Sequence, residues 1–390
     1  MPENDDASDR ESRIAELMDW MIDGARPSAN ARDIVTGICE RLVAAGVPID
    51  RFMLFIWTLH PNMAGRRFRW IKGDGVDVAE APTGMFATEI YVDNPLPEVV
   101  GKQVAIRRKL EDPDCPEDYI IIGELREQGL TDYLAQPLVF TTGETNACSW
   151  SSAAPGGFSE GDVAVLDRVT RPLARLTETY MLRLNAASLL STYVGRNSGD
   201  RILSGEVHRG DGEQITAVIL FVDLKGFTAL SNAMSGSEIV DLLNGAFDIL
   251  VPPVERAQGE ILKFMGDGFL AIFPYEDDSG LRHAARRTVA AVKKAQSAIS
   301  TKRNGNAVAF RTAIHFGTFH YGNIGGASRL DFTAIGPPVN YAARLLSSAE
   351  QLACDHVVSE PLANLLGDCC EFAGSVELKG FEGPQTVYQF

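Results

Sequence analysis

The sequence lacks any run of about 18 apolar residues, so no membrane-spanning helix is expected. Its acidic opening, from Met1 through Asp6, has no apolar core, so no signal peptide is expected there. Cysteine is scarce. Cys39, Cys115, Cys148, Cys354, Cys369 and Cys370 are the only six, and none forms a Cys-x-x-Cys pair. They read as reduced, mostly buried thiols in a reducing compartment rather than a disulfide framework or a zinc site, and the expected location is cytoplasmic. Basic charge is in deficit: 36 Lys and Arg face 52 Asp and Glu, a net charge of -16. That excludes a general nucleic-acid binder but leaves room for a local basic pocket that holds one nucleotide.

What is present is an ordinary globular composition, 45% hydrophobic and 23% charged, in 390 residues. That length favours two domains. Residues 1–29 form an N-terminal extension, expected to fray over its first dozen residues. It carries a helix through Ile14, Leu17, Met18 and Met21. A second helix starts at Ser28 or Asn30 and runs through Ile34, Ile38, Leu42 and Val43 to Gly46. Arg51–Leu59 and Arg67–Lys72 read as strands, and a Gly-Asp-Gly turn closes the second. Residues 76–130 take no clear assignment, because proline, acidic residues and short apolar runs alternate there. Strands return at 132–140 and 147–150, and Ser159 with Asp162 is an N-cap signature. The segments Gly129–Tyr133, Pro137-Leu138 and Gly156–Ser159 resemble the small-molecule-sensing GAF fold, over about residues 30–175. All four tryptophans (Trp20, Trp57, Trp70, Trp150) lie in this half, either as plain core or as the lining of a small-molecule pocket. No Cys/His constellation suggests haem or a bilin.

Leu166, Val169, Leu173, Leu176 and Tyr180 recur at intervals of 3, 4, 3 and 4. That is the seam of a two-helix coiled coil or the buried stripe of an ordinary amphipathic helix; Pro172 keeps both readings open. Residues 160–207 are read as a signalling helix and linker.

From Ile215 the pattern becomes strand, helix, hairpin, helix, strand. The apolar run 217–222 ends in Asp223, and a second carboxylate, Asp267, sits in a hairpin turn between 260–265 and 268–273. Two carboxylates at adjacent strand ends suit Mg²⁺, which prefers a few carboxylate oxygens plus phosphate oxygens. A helix is expected from Gly236 to Leu250, stopped by Pro252-Pro253, with another over 281–299. Strands follow at 308–315 and 331–336, then a helix from Pro338 and a closing strand pair that includes Lys379.

Five stretches in this order, Phe221–Thr228, Lys263–Gly268, Arg311–Gly317, Asp331–Gly336 and Val339–Leu345, resemble the class III nucleotidyl cyclase catalytic domain over about residues 208–390. The implied fold class is α+β: a GAF-like α/β sensor domain, a helical linker and a ferredoxin-like, palm-type cyclase domain. The resemblance implies that ATP closes to 3′,5′-cyclic AMP and pyrophosphate with two Mg²⁺ or Mn²⁺ ions per site. It assigns the ions to Asp223, Asp267 and the Leu224 carbonyl. It gives the triphosphate to Arg311, Lys379, Phe227 and Thr228, the ribose to Asn340, and the reacting phosphate to Arg344. Asn340 and Arg344 lie four apart and share a helix face.

Base choice follows from the hydrogen-bond inventory. Lys263 only donates and Thr333 can accept, which fits adenine N1 and N6. Guanine would call for a carboxylate in place of Lys263. Threonine at 333 resembles a bacterial subgroup associated with bicarbonate stimulation. Because family sites lie between two catalytic domains and one chain carries both residue sets, a homodimer is implied. Guanylate cyclase activity and a non-catalytic nucleotide-binding receptor are the rival readings. A diguanylate-forming relative is disfavoured, since Met265–Phe269 lacks the second acidic residue its turn needs.

Overall fold

The computed structural model describes residues 3–28, 30–301 and 309–390. It divides into two units, Met1–Leu189 and Leu190–Phe390.

The first unit begins with α1 (Glu3–Ile22) and α2 (Ala31–Ala44), the latter capped by the Asn30 side chain, which accepts from the Asp33 N–H. Then come β1 (Arg51–His60), β2 (Met63–Ile71) and β3 (Gly75–Pro82). The stretch without a sequence assignment holds short elements: α3 (Glu89–Val92), α4 (Leu96–Lys102), β4 (Ile106–Lys109) and α5 (Ile120–Glu127). The hairpin β5 (Asp132–Val139) and β6 (Thr145–Ser152) follows, and then α6 (Glu160–Val194). The six strands form one antiparallel sheet in the order β3-β2-β1-β6-β5-β4. One face packs on α1, α2 and α6 through Phe52, Leu54, Phe68 and Trp150. The other packs on α4 and α5 through Leu96, Val99, Ile122 and Leu125.

One expectation is corrected here, and two open readings are narrowed. Where fraying was expected over the first dozen residues, the described part of the N-terminal extension is a helix. It starts at Glu3, and Ile14, Leu17 and Met21 sit in the sheet's own core. Ion pairs from Arg10 to Asp162 and from Glu11 to Arg168 tie it to α6. The seam on α6 is the amphipathic stripe of its own unit: Leu166, Val169 and Leu173 are buried against that same core, with Leu176 and Tyr180 packed alongside. Among the tryptophans, Trp70 and Trp150 are core, whereas Trp57 is half-buried beside Phe86 and Tyr91. Ser159 and Asp162 do exchange hydrogen bonds as a capping pair at the start of α6.

The second unit holds α7 (Arg196–Leu203), where a linker was expected, and then β7 (Gly212–Leu224), α8 (Phe227–Ser231) and α9 (Gly236–Arg256). Next come β8 (Glu260–Met265), β9 (Gly268–Pro274), α10 (Asp278–Thr301) and β10 (Phe310–Gly325). The chain closes with β11 (Leu330–Ile335), α11 (Pro337–Gln351), β12 (His356–Ser359), α12 (Glu360–Leu366), β13 (Glu371–Glu377) and β14 (Pro384–Gln389). The expected strand start at Val308 lies outside the described residues. The sheet order is β13-β14-β12-β10-β7-β9-β8, with β11 paired to β10.

The unbroken apolar run of β7 is explained by its central place, since a strand covered on both faces has no polar side. Val218, Leu220 and Val222 face one core with α9, α10 and α12. Ala217, Ile219 and Phe221 face a second core that includes Val339 and Ala342 of α11. Pro252 and Pro253 do not stop α9, which runs on to Arg256. The two missing donors weaken that turn, and the burial of Leu250, Pro253 and Val254 compensates. Lys379 lies in the turn after β13, not in a strand.

Candidate active site

The site is built at one end of the central strand. In the ladder Asp223 stands between Gly268 of β9 and Arg311 of β10. The β8–β9 hairpin turns through Gly266 and Asp267, and Gly266 has φ 62°. Glycine at the first central position of a two-residue loop is what a type II′ turn requires. The Leu224 N–H donates to the Asp267 carbonyl at 3.2 Å, which pins the turn to the end of β7. Gly268 permits the close approach, because a Cβ there would lie 2.1 Å from the Val222 carbonyl oxygen.

The result is a carboxylate pair. Burial pushes the Asp223 carboxyl above its usual range, and the Asp267 charge pushes it the same way. Arg311 opposes both from 3.4 Å, and its other terminal nitrogen reaches Glu350 at 2.9 Å. Among the described residues no group of three or more His, Cys, Asp or Glu side chains could hold a metal. Two crowded carboxylates, of which only Asp223 meets a guanidinium that is itself divided with Glu350, nevertheless fit a divalent cation that takes its remaining ligands from phosphate oxygens. The fit rests on the donor set: hard oxygens, uncompensated negative charge, and no sulfur or imidazole.

Beyond Asp223 the chain turns through Gly226 (φ 72°) into α8, so Phe227 and Thr228 occupy the first turn of a five-residue helix.

The other candidates lie on different elements. Lys263 on β8 is ion-paired with Asp331 on β11. Strand periodicity puts Asp331 and Thr333 on one face of β11, with Phe332 and Ala334 turned into the core. Lys263, Phe264 and Asp331 line an open groove of about 680 Å³, together with residues 191–197 at the end of α6 and just beyond. Asn340 and Arg344 are exposed on α11, their side chains have no hydrogen-bond partner among the described residues, and Lys379 is likewise exposed. Within one chain, then, Asp223, Asp267 and Arg311 come together, Lys263 and Thr333 sit beside the β8–β11 edge, and Asn340 and Arg344 face outward.

Two residues of the site were not found from sequence. Asp331 had a signal available, because a residue two before Thr333 on a strand shares its face. Glu350 had none; only the packing of α11 beside Arg311 reveals it.

Residues 211–390 match the family model "Adenylate and Guanylate cyclase catalytic domain". The chain is 30% identical to an adenylate cyclase of Anabaena cylindrica over 179 residues, 44% of this chain and 36% of that protein. It is 30% identical to adenylate cyclase 1 of Rhizobium meliloti over 183 residues, 45% of this chain and 27% of that protein. It therefore spans about a third of the length of these curated relatives. The adenylyl cyclase CyaB of P. aeruginosa is similar at 27% identity and TM-score 0.39, over 46% of this chain and 94% of that one. The carboxylate pair and every other candidate residue fall inside the matched stretch, and residues 211–390 carry an adenylate and guanylate cyclase catalytic domain.

Proposed function

We propose that the protein is an adenylate cyclase that converts ATP to 3′,5′-cyclic AMP and pyrophosphate at sites shared by two copies of the chain. The observation that carries this is the carboxylate pair at the end of β7. Two Mg²⁺ or Mn²⁺ ions held by Asp223, Asp267 and the Leu224 carbonyl would lower the charge on the triphosphate and on the attacking 3′-oxygen. The first turn of α8, at Phe227 and Thr228, offers backbone N–H groups to the terminal phosphates. Arg311 and Lys379 offset charge on the leaving pyrophosphate. Asn340 orients the ribose, and Arg344 faces the reacting phosphate. Lys263 donates to adenine N1 and Thr333 accepts from N6.

Support for a shared site comes from Asn340 and Arg344, whose exposed side chains have no hydrogen-bond partner among the described residues, on a helix that buries its other face. A second copy would supply what they face. Support for regulation by a GAF-like N-terminal domain comes from the groove, in which residues 191–197 share walls with Lys263. Movement at the end of α6 would there reach the base-binding edge, and deleting residues 1–190 is expected to change activity or its response to effectors.

One observation favours a second reading. Asp331 places a carboxylate beside Lys263, and a carboxylate accepts from guanine N1 and N2, so guanylate cyclase activity is the alternative. Incubation of the full chain with ATP or GTP plus Mg²⁺ or Mn²⁺, followed by separation of the products, decides between them; no cyclic product from either sinks both. Mixing Asp223→Ala chains with Asn340→Ala chains tests the shared site. About one good site per heterodimer should return, and a mixture as inactive as its parents refutes the arrangement.

A further inference from the structure

The N-terminal unit buries a cation without a proper partner. Arg51, the first residue of β1, is 5% exposed. Among the described residues its Nε has no hydrogen-bond partner, and its one ion-pair partner, Glu124 of α5, is 3.8 Å away, beyond hydrogen-bonding distance. Its cross-strand neighbour Ser151 is 1% exposed, and its hydroxyl is also unpartnered. Buried guanidinium and hydroxyl groups are normally satisfied, because leaving them unpaired costs their full desolvation.

Two more guanidiniums share this face. Pleating puts Arg51, Met53, Phe55 and Trp57 on one side of β1, and the register opposes Met53 to Arg69 and Phe55 to Arg67. Arg67 and Arg69 share a single carboxylate, Asp77, at 2.9 and 3.4 Å, and the Nε of each is buried without a partner. Three guanidiniums therefore face two carboxylates, in a chain that is strongly acidic overall. Burial first, and then the charges of Arg69 and Arg67, make Arg51 easier to deprotonate than a free arginine, against the pull of Glu124.

We propose that Arg51, Arg67, Arg69 and Ser151 form an anion site that takes the phosphate or carboxylate group of a small molecule. A planar, multi-donor guanidinium with free N–H groups matches such oxyanions. Ser151 adds a neutral donor on the sheet floor. Phe55 and Trp57 continue the same face, with Phe86 and Tyr91 edge-on to the Trp57 ring, so an aromatic body beside the guanidiniums would meet the rim of a ring cluster. The site stands on the N-terminal unit alone and does not depend on the cyclase reading.

The test uses the full chain, thermal melting and tryptophan fluorescence, with inorganic phosphate, phenyl phosphate, acetate and benzoate against chloride at equal ionic strength. Saturable binding of at least one anion is expected. The affinity should fall at least ten-fold in Arg51→Met and be kept in Arg311→Gln, whose cation lies in the other unit. The phosphate and carboxylate pairs distinguish the head group, and the phenyl compounds distinguish the aromatic contact. Without ligand, Arg51→Met should melt no lower than the parent, since an unpaired buried charge has been removed. If no anion of the panel binds, or binding is equal in Arg51→Met, the proposal is wrong. A large drop in melting temperature in Arg51→Met alone, with no anion bound, would mark Arg51 as a structural tie to Glu124.

Discussion

At the scale of single residues, the two halves of the candidate site differ in how they are held. Asp223 is fixed by the ladder on both sides and crowded by Asp267, so its carboxylate has one role open to it. Asp223→Asn keeps the shape and removes the charge; turnover is expected to fall at least about a hundred-fold, which corresponds to roughly 3 kcal/mol of lost stabilisation. Steady-state assay at saturating Mg²⁺ checks this. Lys263 is held loosely, in an ion pair with both partners half-exposed. An ammonium has three donors, so Asp331 can aim it and leave two for a base. Exposed pairs contribute less than about 1 kcal/mol, so Asp331→Ala should raise the KM for ATP about two- to five-fold with kcat nearly unchanged. A large fall in kcat would mean that Asp331 does something other than aim a lysine.

At the scale of elements, the sequence was most legible where periodicity and turn chemistry agreed. The β7 run, the Gly266-Asp267 turn and the α11 stripe all have one backbone solution each, and the structure adopts it. The stretch 76–130 was hard to read because several of its elements are too short for either period to repeat: α3 has four residues and β4 has four, although the eight-residue β3 at its start was missed as well. Pro252-Pro253 misled because a proline penalty is local, whereas the burial that carries α9 through it is tertiary. The α6 stripe was ambiguous for the opposite reason, since the same spacing serves a partner helix or the helix's own sheet, and only packing distinguishes them. Near the candidate site, Asp331 lay inside one of the five stretches and was passed over, while Glu350, supplied by helix packing alone, gave no signal at all. The hairpin carries its own prediction. Gly268→Ala puts a methyl against the Val222 carbonyl, so β7 and β9 must part. A loss of about 1–3 kcal/mol in denaturant unfolding of this unit is expected, with activity falling further because Asp267 moves with the turn.

At the scale of the whole molecule, acid sensitivity should come from two imidazoles outside the site. His315 donates to or accepts from the Ser359 hydroxyl at 2.7 Å, and His356 is similarly placed against Thr312 at 3.1 Å. Burial lowers both to about 4, from an ordinary value of 6.5. The unfolded chain therefore binds protons first as pH falls. Their contribution to stability is fully present above pH 6.5 and is lost as pH drops towards 4. At about 1.4 kcal/mol per unit, discounted for partial exposure, the pair amounts to a few kcal/mol. Melting from pH 7.5 to 4.5 should show the decline, and the double variant His315→Gln, His356→Gln should flatten it. A profile as steep in that variant would move the origin elsewhere.

Crowding at the end of β7 has one more consequence. Because burial and the neighbouring Asp267 charge both disfavour the Asp223 carboxylate, a divalent ion taken up as proposed would act as a ligand for folding before it took part in any chemistry. Heat resistance should rise along a magnesium titration even with no nucleotide in the cuvette, and a calorimeter would then read occupancy in a protein that is turning nothing over.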